Sequence, residues 1–212
     1  MHVFDQPAIL ARMKLIVALG NPGDEYAKTR HNVGWMIADA FAAKFRIRID
    51  KHEKEAMTGS GRVAGGAVMV AKPWTYMNNS GDAVKLLSGA YLDSTTDLIV
   101  VHDEVDLPLG KLRIRERGSS GTHNGMRSVV ASLATEEFPR LRFGVRGANY
   151  AEVGRLRDYV LEDFEDSELP IVNRNIERAV DALVLFARGD LRRAMNEFNR
   201  DSDGDTEPSE TS

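Results

Sequence analysis

The chain contains no cysteine, which removes disulfides, thiolate nucleophiles and Cys-ligated zinc from consideration and suits a reducing compartment. It has no apolar run near the roughly 20 residues needed to cross a bilayer, so no membrane partner is expected. Residues 1–12 carry Asp5 and Pro7 without a long apolar stretch. That is a poor secretory signal, and the expected location is the cytoplasm. There is no G-x-S-x-G elbow, the glycine-rich segment lacks a G-K-[ST] ending, and no two histidines stand at H-x-x-x-H or H-x-H spacing. A serine nucleophile, a nucleotide-hydrolysing P-loop and a metal site are all disfavoured.

Net charge is also small. The formal value is −4, but one of the 28 bases and five of the 32 acids lie in residues 200–212. The body of the chain is therefore neutral, and any attraction to nucleic acid has to come from local asymmetry. Residues 200–212 have the polar, acidic composition of a disordered tail. Residues 1–12 are read as an N-terminal extension that need not be ordered, and 13–199 as one domain, since 212 residues suffice for a single sizeable core.

What is present is an alternation of buried strands and helices. Residues 14–19, 67–71 and 98–101 are near-continuous apolar runs, the pattern of strands covered on both faces. Residues 34–45, 80–91 and 128–133 read as helices. So does the chain from Ser167 onward, where Ile176, Ala179, Val180, Leu183 and Phe186 form one apolar face before Gly189. Residues 112–114 and 141–145 read as further strands. The expected fold class is α/β, a single domain with a twisted, mixed, mostly parallel sheet flanked by helices on both faces.

Polar residues gather in the connections: Gly20-Asn21-Pro22-Gly23, Thr29-Arg30-His31-Asn32, Tyr76-Met77-Asn78-Asn79, His102-Asp103-Glu104 and the glycine-rich Gly118-Ser119-Ser120-Gly121-Thr122-His123-Asn124-Gly125. In open α/β sheets, ligands collect where such loops converge beyond the carboxyl ends of the strands. His31 is a candidate general base, and Asp103 a candidate partner for its other ring nitrogen. Asn21 and Asn78 are candidate amide donors to a developing oxyanion and acceptors from a peptide N–H. Each also has a plain structural reading as a cap, turn or core residue. Lys111, Arg113, Arg115 and Arg117 alternate with Leu112 and Ile114, which on a strand would put four cations on one face. Residues 111–146 hold eight bases against three acids, pointing to an anionic partner such as a phosphate backbone.

Taken together and in order, these segments resemble bacterial-type peptidyl-tRNA hydrolase. The resemblance is carried by Gly20-Asn21-Pro22-Gly23, Thr29-Arg30-His31-Asn32-Val33-Gly34, Lys72-Pro73, Tyr76-Met77-Asn78-Asn79-Ser80-Gly81, His102-Asp103-Glu104 with Asp106-Leu107-Pro108, and His123-Asn124-Gly125. It covers roughly residues 13–198. It implies hydrolysis of the ester between peptide and tRNA, with no cofactor, by a monomer. His31, Asp103 and Asn21 would form the catalytic group, with Asn21, Tyr26, Met77, Asn78, His123 and Asn124 contacting substrate. Arg115 and Arg142, with Lys111 and Arg113, would grip the phosphates of the acceptor stem. The sequence departs from the family at Thr122, often glycine, and at Arg146-Gly147-Ala148, where a Gly-Arg-Pro-like turn is usual. Two other functions compete: a non-catalytic RNA-binding protein on the same scaffold, and a metal-dependent hydrolase of another phosphate-bearing substrate.

Overall fold

The computed structural model describes residues 13–148, 150 and 155–200; the N-terminal extension and the acidic tail lie outside the described residues. Seven strands form one sheet in the order β2-β3-β4-β1-β5-β7-β6. They are β1 (Lys14–Ala18), β2 (Lys51–Glu53), β3 (Ala56–Val63), β4 (Gly66–Pro73), β5 (Leu98–Pro108), β6 (Leu112–Arg115) and β7 (Arg140–Arg146). Six helices accompany them: α1 (Val33–Lys44), α2 (Ser80–Tyr91), α3 (Asn124–Leu133), α4 (Leu156–Val160), α5 (Leu169–Ala187) and α6 (Leu191–Phe198).

The sheet is mixed, with helices on both faces, as its patterning requires. It is not mostly parallel as expected: among the described residues three strand pairings are parallel, all at the centre, and three are antiparallel. β4, β1, β5 and β7 run parallel to one another, while β2 pairs with β3, β3 with β4 and β6 with β7 antiparallel at the two margins. The central strands are the ones whose both faces are covered, hence their continuous apolar sequence. Ile16, Ala18, Val70 and Val101 pack under α1 and α5 on one face. Leu15, Val17, Ala71 and Val100 pack under α2 and α3 on the other.

Two features of this frame place the site. The neighbouring strands β1 and β4 send the chain to opposite faces of the sheet, through α1 and α2, the arrangement that opens a crevice at the carboxyl edge. The register pairs Ala18 with Val101, and Leu19 N–H donates to Val101 O at 2.9 Å. Asn21 and Asp103 therefore emerge side by side. Gly34, in the first turn of α1, lets that helix sit against backbone: a Cβ there would come within 2.9 Å of Val101 O.

His102-Asp103-Glu104 differs from expectation. It continues β5 instead of forming a loop, because β7 pairs with it, His102 facing Arg142 and Asp103 facing Phe143. The basic stretch differs too. β6 ends at Arg115, so Lys111 and Arg117 fall outside the strand, and only Arg113 and Arg115 alternate with the buried Leu112 and Ile114. Among the described residues no helix is long and apolar enough to cross a membrane.

Candidate functional site

A cavity of about 640 Å³ opens at the carboxyl edge, and Asn21, Tyr26, His31, Met77, Asn78, Asp103, His123 and Asn124 all line it. These residues come from six separate segments, Tyr26 ending the 3-10 turn Asp24–Tyr26. A second 3-10 turn, Arg30–Asn32, leads into α1 and carries His31. A third, Met77–Asn79, leads into α2 and carries Asn78. β5 carries Asp103, the end of β1 leads to Asn21, and α3 begins at Asn124 just after His123.

Asp103 is the centre of the arrangement. It is 2% exposed, and its Oδ1 accepts from His31 Nδ1–H and from His123 Nε2–H, each at 2.8 Å. Burial alone would raise the pKa of this carboxyl, but the charges and hydrogen bonds of the two histidines outweigh it and hold Asp103 far below the usual carboxylate range. An ionised acceptor requires hydrogen on both facing nitrogens, which fixes both tautomers. His31 is left with Nε2 free to take a proton. Its burial disfavours the imidazolium, yet the Asp103 charge and hydrogen bond prevail and raise its pKa above the ordinary 6.5. His123 has no free nitrogen, since its Nδ1 accepts from Met126 N–H at 3.1 Å and caps α3. The two imidazoles lie 4.9 Å apart.

The amides divide into committed and uncommitted. Asn21 Oδ1 accepts from Met77 N–H at 2.8 Å, so Asn21 retains only Nδ2 as a donor and its acceptor is spent. Asn32 holds the backbone of Asn21 from both sides, accepting from its N–H and donating to its carbonyl, each at 2.9 Å. Asn78 and Asn124 have no hydrogen-bonding partner among the described residues, so both ends of each amide are available.

His102 is buried, and its Nδ1–H donates to the Asp103 carbonyl at 2.8 Å. Burial, reinforced by its neighbours His123 and Arg142, pushes its pKa well below the ordinary value and keeps it neutral. His31, Asp103 and His123 also bring potential metal-ligating atoms within 4.8 Å of one another, and in this group Asp103 Oδ1 already accepts hydrogen bonds from both histidines.

A second cavity, of about 490 Å³, lies beside the first and is lined by Arg115, Arg117, Arg140 and Arg142. Lys111 and Arg113 do not line it. The wall between the cavities contains an ion pair, because Glu104 lines the first and Arg142 the second. Arg142 Nε–H donates to Glu104 Oε2 at 2.7 Å, and its Nη2–H reaches the same oxygen. Arg142 is thus paired within the protein, whereas Arg113 and Arg115 have no ion-pair partner among the described residues.

Several residues of this site carry no readable sequence signal. Leu156, Arg157, Val160 and Leu161 close one side of the first cavity. They are held there through Arg30, which is fully buried. Its guanidinium lies 4.5 Å from the ring of Tyr159 and 5.1 Å from that of Phe164, and pairs with Glu168 at 2.8 Å. Arg30 N–H also donates to Glu162 O at 2.9 Å. The residue before the candidate base thus anchors the wall that faces it. Asn32 had a signal, standing directly after His31, but its hold on Asn21 depends on the fold.

The family model described as peptidyl-tRNA hydrolase matches residues 15–206. The peptidyl-tRNA hydrolase of Koribacter versatilis is 44% identical over 189 residues, covering 89% of this chain and 93% of that protein. That of Roseiflexus castenholzii is 48% identical over 191 residues, covering 88% of this chain and 87% of the relative. The crystal structure of peptidyl-tRNA hydrolase from Acinetobacter baumannii superposes with a TM-score of 0.82 at 34% identity, covering 91% of this chain and 97% of the other. With the match running through both margins of the sheet and every segment of the cavity, the chain belongs to the peptidyl-tRNA hydrolase family.

Proposed function

We propose that this chain hydrolyses the ester linking a peptide to the terminal ribose of tRNA, acting as a monomer in the cytoplasm. The observation that carries the reading is the His31–Asp103 pair, with His31 Nε2 left open in a cavity lined by uncommitted amides.

In this reading a water gives its proton to His31 Nε2 as its oxygen attacks the ester carbonyl. Asp103 keeps Nδ1–H in place and stabilises the imidazolium that forms. Asn21 Nδ2, Asn78 and Asn124 supply N–H donors for the negative oxygen of the tetrahedral intermediate and for peptide main-chain groups. The ester C–O bond then breaks, and the proton on His31 passes to the departing ribose oxygen. The products are a free peptide and a tRNA with a free hydroxyl. Met77 packs against the substrate, Tyr26 contacts it at the cavity wall, and His123 acts through Asp103. Arg115 and Arg142, flanked by Lys111 and Arg113, hold acceptor-stem phosphates through sequence-independent charge. No cofactor enters this scheme.

The test is peptide release from N-acetyl-aminoacyl-tRNA, beside unblocked aminoacyl-tRNA, with wild type and His31→Ala, with and without chelator. The expected result is chelator-resistant cleavage of the blocked substrate alone, reduced by roughly 10²–10⁴-fold in His31→Ala. Binding of tRNA without turnover would reassign the chain as an RNA-binding protein. Loss of activity with chelator would reassign it as a metal-dependent hydrolase.

A further inference from the structure

The catalytic cavity adjoins two unlike surfaces. Toward β6 and β7 lie the arginines of the second cavity. On the other side of β1, past the end of β4, Trp74 and Tyr76 are 46% and 62% exposed. Tyr76 lines the catalytic cavity, and Trp74 stands two residues further out. Exposed aromatic surface costs free energy in a free monomer and is a common mark of a contact site.

Trp74 is also held in place. Its indole stacks on that of Trp35, with ring centroids 5.7 Å apart and planes 10° from parallel. Trp35 is buried against Gly20, where an added Cβ would lie 2.5 Å from the indole. Trp74 N–H donates to Glu55 O at 2.7 Å. The cation recorded against this pair is Lys72, 4.7 Å from the Trp35 ring, and Asp39 neutralises it at 2.8 Å. The outcome is a pinned, exposed aromatic surface whose neighbouring lysine is already paired. Gly20 precedes Asn21, Tyr76 precedes Met77, and the Asn21–Met77 hydrogen bond joins the two segments. The aromatic surface and the cavity therefore share one rigid junction.

The substrate of the proposed reaction has two parts that meet at the ester. Phosphates go to the side that carries cations. The acyl part then leaves on the opposite side, where the exposed surface is aromatic. We infer that Trp74, continuing from Tyr76, is a platform for apolar side chains of the peptide upstream of the esterified residue. Two residues of extended chain reach at most about 7 Å, so the side chains it meets are some two to three residues upstream. Recognition of the esterified residue itself stays with the amides. The platform adds affinity for longer apolar peptides without restricting which peptides are cleaved.

This inference rests on the peptidyl-tRNA reading, and the experiment separates the two. Three substrates share one tRNA and one esterified residue: an N-acetyl-aminoacyl-tRNA, a pentapeptidyl-tRNA with phenylalanine at its upstream positions, and the same with glycine there. KM and kcat are measured for wild type, Trp74→Ala and Trp74→Phe. For the phenylalanine pentapeptide, Trp74→Ala is expected to raise KM roughly 3- to 10-fold, the size of one aromatic contact, with kcat retained and Trp74→Phe restoring most of the loss. The acetylated and glycine substrates are expected to move by less than about twofold. An equal rise for all three substrates would overturn the proposal and point to contact with the RNA. An unchanged KM for the phenylalanine peptide would overturn it outright. If wild type cleaves none of the three, the peptidyl-tRNA reading itself has failed.

Discussion

The cavity at the carboxyl edge and the arginine-lined cavity beside the start of β7 are built on different principles, although the Glu104–Arg142 pair joins their linings. In the first, the groups suited to bond-breaking have their geometry fixed by partners: His31 and His123 on Asp103, Asn21 on Met77, Asn32 on Asn21. In the second, cations range from fully committed to free. Arg140 is buried, with its guanidinium donating to the carbonyls of Gly118, Ser119, Glu136 and Phe138. Arg115, its cross-strand partner in the register, is exposed. Proton transfer depends on placement within a few tenths of an ångström, so its groups are pinned. Attraction of a phosphate falls off slowly with distance, so a mobile exposed arginine serves it well. One side-chain type thus does structural work at position 140 and is fitted for electrostatic work at 115.

The sharpest way to break this contrast is Asp103→Asn, which keeps the shape of the first cavity and removes the charge that organises it. Activity is expected to fall by roughly 10²–10⁴-fold, the range for a positioned acid–base group. The pH dependence gives a second readout. In the proposed reaction His31 acts as a base, which requires it neutral, and Asp103 raises its pKa despite the opposing effect of burial. The acid limb of kcat/KM in wild type is therefore expected above the ordinary imidazole value of 6.5 and should move to lower pH in Asp103→Asn. A limb that stays in place would show that the ionisation belongs to another group.

Next in size is Arg140→Met, which tests whether a basic-cavity residue is structural. Burial pushes the pKa of Arg140 down to about 10, so it stays charged at neutral pH while tying the start of the glycine-rich loop to Glu136 and Phe138. Removing its donors leaves carbonyls without their partners, at a cost of about 1–3 kcal/mol. A lowered melting temperature is expected, with a smaller fall in turnover because the loop carries His123. An unchanged melting temperature would place Arg140 with the free cations.

How much of this was legible in the sequence follows from what burial does to composition. The strands at the centre of the sheet are covered on both faces and show as apolar runs. β3 reads AMTGSGRV, and Gly59 and Gly61 disguise it as a loop; they are needed because Arg48 and Ile47 pack directly over those positions. The extension of β5 through His102, Asp103 and Glu104 was hidden by its polarity, since what makes it a strand is pairing with β7, distant in sequence. At the site, His31, Asp103, Asn21 and Asn78 stand in motifs and could be named. That the side-chain oxygen of Asn21 is engaged by Met77, that His123 has no free nitrogen, and that Leu156, Arg157, Val160 and Leu161 form a wall are tertiary facts. The expected row of four cations failed for a related reason. Alternation describes a strand only as far as its partner extends, and β7 supports β6 only from Leu112 to Arg115.

The smallest effect is also the finest test of the comparison, and it sets Arg115→Ala against Arg142→Ala. Arg115 is exposed and without an ion-pair partner among the described residues, so its loss should leave stability within about 0.5 kcal/mol of wild type. It should weaken tRNA binding and reduce the slope of log K against log salt by about 1, the signature of one lost phosphate contact. Arg142 donates to Glu104, a residue of the catalytic cavity, and its removal leaves a buried carboxylate without its cation. Arg142→Ala is therefore expected to lower stability and turnover as well as tRNA affinity. The measurements are salt-dependent tRNA binding and thermal melting for both variants. Equal melting temperatures would mean that the Glu104–Arg142 pair contributes nothing to the wall between the cavities, and that the two arginines differ only in position. Unequal ones, with the same change in salt slope, would show Arg142 serving both cavities at once.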